Sequence, residues 1–212
     1  MSAKNVEHKF IAPNSVEIRD YQVNLANQAK NENCLIILPT GLGKTVVALH
    51  VIADYLTKGN GGVLFLAPTK VLVNQHYEFL KNTLTIDDIG MITGEVLLTK
   101  RKKLWINSVI CATPEISRND IARKIVDTTQ FNLIIFDEAH RAVGDYAYVE
   151  IAKQLSGSNV RLLGMTATLP SEKEKAKEIC DNLHVRSLAE RNDSSPDVKP
   201  YIQETKTEWV TV

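Results

Sequence analysis

The chain has 212 residues, of which 44% are hydrophobic and 24% charged, a composition typical of a globular protein with a buried core. Its 25 lysines and arginines balance 25 aspartates and glutamates, so the formal net charge is zero. This balance argues against a free-standing, tightly binding nucleic-acid protein, because phosphate contacts dominate the affinity of such proteins, although a local basic stripe is compatible with it.

The cysteines and the apolar runs indicate the cellular compartment of the protein. Cys34, Cys111 and Cys180 lie far apart in apolar settings, which favours buried thiols over a disulfide framework or a zinc site. The N-terminus lacks the apolar stretch of a signal peptide, and no apolar run approaches the roughly 20 residues that span a bilayer. We therefore expect a cytoplasmic protein, nucleoid-associated if prokaryotic, with no membrane partner.

Short apolar runs alternate along the chain with longer amphipathic stretches. The runs predict strands at 34–40, 62–69, 91–94, 108–113, 131–137 and 160–168. The amphipathic stretches predict helices at 44–57, 71–82, 98–105, 114–126, 145–155 and 171–183. Most strands are apolar throughout, as in a parallel sheet covered on both faces. The alternation predicts an α/β fold, with a mostly parallel sheet sandwiched by helices in three layers.

The end of the chain differs in character from the rest. Ser171 is placed to cap the last predicted helix, and Glu174 stands three residues later, as in a capping box. The polar segment 191–200 contains two prolines and predicts a surface loop, and 201–210 alternates like an edge strand. We expect one domain over 1–190, followed at 191–212 by a loop and a terminal strand.

A phosphate-binding loop is predicted at PTGLGKT (39–45), between a predicted strand and a predicted helix. Its glycines let backbone N–H groups converge on phosphate oxygens, and the helix N-terminus adds positive potential. Lys44 is expected to reach the β- and γ-phosphates of ATP, and the Thr45 hydroxyl to bind Mg²⁺. The generic pattern has glycine where this chain has Leu38. The predicted ATP-binding residues of the loop are Thr40, Gly41, Leu42, Gly43, Lys44, Thr45 and Val46.

An acidic pair, Asp137 and Glu138, ends the predicted strand at 131–137. Open α/β sheets bind ligands at the carboxyl ends of their strands. Asp137 there can hold the Mg²⁺ shell through water, and Glu138 can orient and deprotonate the attacking water. Such a pair alone is more often part of a solvated loop, but together with the phosphate loop it indicates a nucleotide hydrolase.

The sequence DEAH (137–140) and the order of the motifs resemble the first RecA-like domain, a P-loop NTPase fold, of superfamily 2 helicases. The resemblance extends over nearly the whole chain. It implies that Arg19 and Gln22 read adenine, and that His140 joins the catalytic group and bridges to the motif coupling the ATP and nucleic-acid sites. The coupling motif is Thr166, Ala167 and Thr168. The implied nucleic-acid contacts are Pro68, Thr69, Lys70, Gln75, Thr93, Gly94, Thr113, Pro114 and Glu115.

A finer resemblance is to the archaeal Hef and Fanconi-anaemia M-type translocases, which remodel branched DNA. It is carried by Arg101-x-x-x-Trp105, by the run 137–152 and by the segment 197–210. Val71 and Glu115 are not that group's commonest residues. The basic run 100–103 is equally compatible with phosphate contacts and with a solvated surface. Trp105 is expected to pack in the core and not to stack on a base.

The resemblance implies the ATP-binding motor domain of a helicase or translocase acting on branched or forked DNA, with ATP, Mg²⁺ and a second RecA-like domain. The arginine-rich motif of that second domain is not found in these residues. Arg186 and Arg191 are better explained as solvated charges. Since an arginine finger contributes roughly 10³–10⁵ in rate, we expect this chain to bind nucleotide but to turn it over slowly.

Two alternatives remain open from the sequence. The chain could be a nucleotide-gated nucleic-acid-binding module without turnover of its own. Alternatively, it could belong to an RNA helicase or RNA-dependent ATPase, because phosphate contacts discriminate little between the sugars. The other histidines, His8, His50, His76 and His184, are expected at the surface or in packing.

Overall fold

Seven parallel strands form one sheet in the computed structural model, which describes residues 4–59, 61–155 and 159–202. The strands are β1 (Cys34–Ile37), β2 (Gly62–Leu66), β3 (Ile89–Ile92), β4 (Val109–Ala112), β5 (Phe131–Asp137), β6 (Arg161–Thr166) and β7 (Ser187–Glu190). Their order across the sheet is β3-β4-β2-β5-β6-β1-β7. Within the described ranges, no helix combines the length and the apolar character that a membrane span requires.

Helices cover both faces of the sheet. They are α1 (Asp20–Ala29), α2 (Lys44–Lys58), α3 (Lys70–Thr83), α4 (Leu98–Leu104), α5 (Pro114–Ala122), α6 (Ala147–Leu155) and α7 (Lys173–Asn182). Successive strand residues face opposite sides, so Cys34 and Ile36 pack with α1–α3, whereas Leu35 and Ile37 pack with α5–α7. The predicted three-layer α/β fold with its parallel sheet is confirmed.

Two of the helix boundaries that differ from the prediction have a structural reason. α5 ends at Ala122 because Lys124 adopts a left-handed φ of 54°, with N–H bonds from Lys124 to Ile121 O and from Ile125 to Asp120 O. The predicted cap at Ser171 is wrong, since α7 begins at Lys173 with Glu172 as its N-cap. Ser171 lies one residue too far upstream for its hydroxyl to cap the first turn.

Two elements were missed by the pattern of apolar residues. The buried face of α1 includes Gln22 beside Tyr21 and Leu25, so a polar residue interrupts its apolar stripe. β7 lies at the sheet edge, and Ala189 is its one buried residue. α1 therefore lacks the unbroken apolar stripe of a typical amphipathic helix, and β7 lacks the continuous apolar run of a central strand.

The segment after β7 is a loop, as predicted, and it is held by an ion pair. Arg191 donates from Nε to both carboxylate oxygens of Asp197 at 2.9 Å, so this arginine is paired rather than simply solvated. A short 3₁₀ turn follows at Lys199–Tyr201. Tyr201 lies in that turn instead of opening the strand predicted at 201–210, and residues 203–210 of that prediction lie outside the described ranges.

His50 on α2 is a histidine kept neutral by the fold. Its Nε2 atom is buried and has no hydrogen-bond partner among the described residues. Burial, together with the nearby positive charges of Lys30 and His8, lowers the pKa of His50 to about 4. The imidazole therefore stays uncharged in the folded chain at pH values where an unfolded chain would protonate it.

We predict that the free energy of unfolding falls as the pH drops from about 6.5 toward 4, because the unfolded chain then binds a proton that the folded chain does not. His50→Leu should reduce this loss by about 1–2 kcal/mol between pH 7 and 5, allowing for partial solvent exposure. Urea unfolding at a series of pH values measures this loss of unfolding free energy in both proteins. His184→Asn, at an exposed histidine, is the matched control; equal pH dependence of wild type and His50→Leu would contradict the prediction.

Candidate functional site

Three sequence motifs meet at the carboxyl edge of the sheet because β6 lies between β5 and β1. Ile37 of β1 is in register with Thr166 of β6, and Asp137 of β5 is in register with Met165. The phosphate loop, the acidic pair and the segment 166–168 therefore emerge side by side. This edge is where open parallel sheets bind their ligands.

The phosphate loop has the backbone that its glycines predict. Gly41 and Gly43 have φ values of 89° and 80°, a region that favours glycine, and α2 begins directly afterwards. The ammonium of Lys44 donates to Leu38 O at 3.1 Å, so the lysine head lies back over the loop. Leu38 is fully buried, so an apolar side chain fits where the generic pattern has glycine, and its main-chain N–H donates to Thr166 O at 3.0 Å.

Gln22 presents a hydrogen-bond acceptor beside this loop. Its Nε2 donates to Leu42 O at 3.0 Å, and the Tyr21 hydroxyl donates to the same carbonyl at 2.8 Å. Because a carbonyl only accepts, the nitrogen must face Leu42, so Oε1 is the amide atom that this carbonyl does not pair. That Oε1 is buried with no partner among the described residues. Buried acceptors are normally paired, and the amino group of adenine is a donor of the required kind.

Arg19 precedes α1 and lies against Tyr201. The guanidinium is 5.6 Å from the centre of the Tyr201 ring, and it approaches Glu17 at 3.6 Å. Tyr201 in turn packs edge-on against Tyr21, with ring centres 5.6 Å apart. A hydrogen bond with Tyr21 raises the pKa of Arg19, and Glu17 adds to this. No local pattern marks Tyr201, because it follows a polar loop and contacts residues about 180 positions earlier.

Asp137 is held from two sides. Its Oδ2 lies 2.7 Å from His76 Nε2, and the Tyr148 hydroxyl lies 2.7 Å from its main-chain oxygen and 3.2 Å from Leu66 O. Burial raises the pKa of Tyr148 well above its usual value, with Tyr146 and Asp137 adding to the effect, so the hydroxyl remains a donor. The expectation that His76 merely packs or lies at the surface is wrong, since its ring binds the acidic residue of the site.

Glu138 adopts a strained backbone conformation, with φ 50° and ψ 48°. Lys124 and His184 share this region, but they end α5 and α7 through the hydrogen bonds that usually close helices. Glu138 instead joins β5 to the 3₁₀ turn Ala139–Arg141, so its strain coincides with a candidate catalytic residue.

His140 links Glu138 to the segment after β6. Its Nδ1 lies 3.3 Å from Glu138 Oε2 and 3.1 Å from Thr166 Oγ1. The Thr166 hydroxyl donates to Thr168 O at 2.8 Å, so it accepts from His140, and we assign the proton of the imidazole to Nδ1. The bridge expected from the resemblance is present in the structure.

The predicted nucleic-acid contacts follow β2, β3 and β4, in the other half of the same edge. Thr69 caps α3 by accepting from Leu72 N at 3.2 Å, and exposed Lys70 forms an ion pair with Glu95. Thr93 and Pro114 are buried, so a contact there would come from adjacent backbone. The remaining predicted contacts are Pro68, Gln75, Gly94, Thr113 and Glu115, of which Gln75, Gly94 and Glu115 are exposed.

The basic run 100–103 divides into two kinds of residue. Lys100, Lys102 and Lys103 are exposed, whereas Arg101 is 9% exposed and binds Asp120 through Nε at 2.8 Å and Nη2 at 3.1 Å. Trp105 is buried, as predicted, and donates from Nε1 to Asp120 at 2.9 Å. No pattern in the sequence marks Asp120. The pattern Arg101-x-x-x-Trp105 is therefore explained by a buried cluster that fastens α4 to α5.

Comparison with known proteins matches residues 15–171 to the family described as "Type III restriction enzyme, res subunit". A Methanocaldococcus jannaschii protein named as a candidate ATP-dependent RNA helicase is 42% identical over 204 residues, 95% of this chain and 26% of that protein. The ATP-dependent DNA helicase fml1 of Schizosaccharomyces pombe is 34% identical over 215 residues, 99% of this chain and 26% of the helicase. The chain thus spans about a quarter of the length of these relatives.

A solved structure matches over most of the chain. The crystal structure of the Pyrococcus furiosus Hef helicase domain aligns with a TM-score of 0.88 and 42% sequence identity. The alignment covers 91% of this chain and 42% of that one. The fold and the resemblance to Hef drawn from the motifs agree with this likeness.

Asp120→Ala should lower the free energy of unfolding by about 3 kcal/mol or more, because it leaves the buried Arg101 guanidinium without its counter-charge. Urea unfolding measures the change. The exposed pair of Arg118 and Glu150, 3.6 Å apart, supplies the control: Glu150→Gln should shift the free energy by no more than about 1 kcal/mol. Comparable losses in the two variants would show that the Asp120 cluster contributes no more than a surface pair.

Proposed function

Since the chain belongs to the helicase family described as type III restriction enzyme, res subunit, and shares its fold with Hef, we propose that it is the ATP-binding RecA-like motor domain of a helicase or translocase acting on branched or forked DNA. The observation that carries this proposal is the free Gln22 Oε1 beside a glycine phosphate loop, at the sheet edge that also holds Asp137 and Glu138.

The proposal assigns 1–190 to this domain and has 191–212 lead toward a second RecA-like domain. Its support is the share of the relatives that this chain covers. In such a two-domain motor, ATP and nucleic acid bind in the cleft between the domains. The arginine-rich motif of the second domain would then complete the hydrolytic site.

Nucleotide binding is assigned to the loop and to α1. The N–H groups around Gly41 and Gly43 face the phosphates, Lys44 exchanges its bond with Leu38 O for phosphate oxygens, and Gln22 accepts from adenine. The segment also includes Thr40, Leu42, Thr45 and Val46, with Arg19 at the adenine edge. Glycine is favoured at 43 because its φ of 80° is strained for other residues, and a Cβ there would also displace the Gln22 amide, whose Nε2 would lie 2.4 Å away.

The residues present fit a Mg²⁺ ion that is bound together with the nucleotide. The Thr45 hydroxyl lies in the first turn of α2 and Asp137 at the end of β5, a hydroxyl and a carboxylate of the kind that hold Mg²⁺ beside phosphates. When bound, Mg²⁺ neutralises charge on the β- and γ-phosphates. Glu138 orients and deprotonates the attacking water, and His140 holds Glu138 in place.

The nucleic-acid contacts are proposed on the half of the edge formed by β2, β3 and β4. Thr69, Lys70 and Gln75 on α3, with Gly94 and Glu115, would follow the phosphate backbone of one strand. Thr166 to Thr168 would couple the two halves, because Thr166 contacts both His140 and the start of the phosphate loop. DNA is favoured by the name of the fml1 relative, and forked DNA by the resemblance of the motifs to the Hef group, while the name of the Methanocaldococcus relative favours RNA. Stimulation of a two-domain protein by forked DNA or by duplex RNA distinguishes them.

Gln22→Ala should weaken ATP binding roughly tenfold by removing the acceptor for the adenine amino group, about 1–1.5 kcal/mol, and should leave GTP binding nearly unchanged. Titration calorimetry with Mg-ATP and Mg-GTP measures both affinities. Lys44→Ala is expected to lose binding of both nucleotides, because the phosphates are common to them. If Lys44→Ala bound ATP as the wild type does, the assignment of the phosphate loop would be wrong.

Glu138→Gln should retain Mg-ATP affinity and lose hydrolysis, because the amide still fits the site but cannot take a proton from water. Slow turnover by this chain is expected, so single-turnover hydrolysis of radiolabelled ATP, with protein in excess, is the suitable measurement. Glu150→Gln, at an exposed glutamate of α6, serves as the control and should hydrolyse ATP at the wild-type rate. Undiminished hydrolysis by Glu138→Gln would require a different base.

A further inference from the structure

His76 is a buried polar residue that the proposed chemistry does not use. Its Nε2 lies 2.7 Å from Asp137 Oδ2, and the two residues are 7% and 4% exposed. A carboxylate only accepts, so Nε2 is the donor. The imidazole also packs against Phe65 of β2, with ring centres 4.4 Å apart and planes inclined by 32°.

We propose that His76 is a positioning residue for the Mg²⁺-nucleotide site, and this rests on the proposed function. By binding one carboxylate oxygen of Asp137, the imidazole fixes the side-chain rotamer and hence the direction of the other oxygen. Tyr148 bonds only the main-chain oxygen of Asp137, so it holds the strand end and not the carboxylate. The side chain of Asp137 is oriented by His76.

Packing alone does not account for a histidine at this position. An aliphatic side chain could fill the space against Phe65, whereas a buried imidazole incurs a desolvation cost unless it is hydrogen-bonded. The ring belongs to α3, whose first residues, Thr69 and Lys70, are proposed nucleic-acid contacts. His76 follows Lys70 by six residues, roughly 9 Å along the helix. One rigid helix therefore carries both the proposed phosphate contacts and the group that orients Asp137.

The test measures metal dependence apart from hydrolysis. Binding of a fluorescent N-methylanthraniloyl ADP to the 212-residue chain is followed in EDTA and across a MgCl₂ series. His76→Leu should raise the Mg²⁺ concentration for half-maximal enhancement about 10–100-fold, as loss of an outer-shell partner does, with metal-free ADP affinity unchanged. His76→Gln retains a donor that can reach Asp137. It should therefore bring the Mg²⁺ concentration for half-maximal enhancement most of the way back to the wild-type value. His50→Leu, at a half-buried histidine of α2, should match the wild type.

The outcomes distinguish a failure of the role proposed for His76 from a failure of the proposed nucleotide site. Unchanged Mg²⁺ dependence in His76→Leu, equal loss of metal-free and Mg²⁺-dependent affinity, or no recovery in His76→Gln would each overturn the role of His76. Thermal unfolding checks that each variant folds, and His76→Asn, whose amide is too short to reach Asp137, replaces His76→Leu if the latter does not fold. Lys44→Ala and Asp137→Asn are measured alongside. Wild-type binding by Lys44→Ala would reject the nucleotide site itself. If Lys44→Ala and Asp137→Asn both lost binding while His76→Leu was unaffected, only the inference about His76 would be rejected.

Discussion

Thr166 accepts hydrogen bonds from both sides of the candidate site, and the arrangement of the other groups depends on this residue. Its main-chain oxygen accepts from Leu38 N at 3.0 Å, at the start of the phosphate loop, and its hydroxyl lies 3.1 Å from His140 Nδ1. Both contacts require β6 to lie between β1 and β5, which the parallel strand order provides. Under the proposed function, a movement of the phosphate loop would be passed through this buried threonine to the residues that handle water.

The carboxyl edge of the sheet buries several polar atoms. Asp137 and Thr166 are buried at strand ends, and both are hydrogen-bonded, as the cost of burying an unpaired polar group requires. Gln22 Oε1 departs from this rule, although its Nε2 is fixed by Leu42. An acceptor that is preorganised but unpaired belongs where a ligand supplies the donor, whereas the paired groups hold the frame around it.

The local signals in the sequence predicted the parts of the fold in which one segment determines its own structure. β5, with its continuous run of apolar residues, was predicted with both ends correct, and the glycines of the phosphate loop predicted its backbone. The missed features depend on partners distant in sequence. His76 bonds a residue 61 positions later, and Tyr201 contacts a segment 181 positions earlier. No local periodicity encodes such pairs, and at His76 the only local signal was its place beside Gln75 of a motif.

The neutral composition has a structural counterpart on the proposed nucleic-acid face. Lys70 is paired with Glu95, and Arg101 is buried against Asp120, so two basic groups of that face are already neutralised within the chain. A phosphate approaching Lys70 must displace an exposed carboxylate, a contact of small energy in water, whereas Arg101 cannot leave its buried partner without a large cost. Of these two cations, only Lys70 is available to nucleic acid. The affinity of this domain for a phosphate backbone should therefore come from backbone N–H groups and a few exposed lysines, and tight binding would need the second half of a cleft.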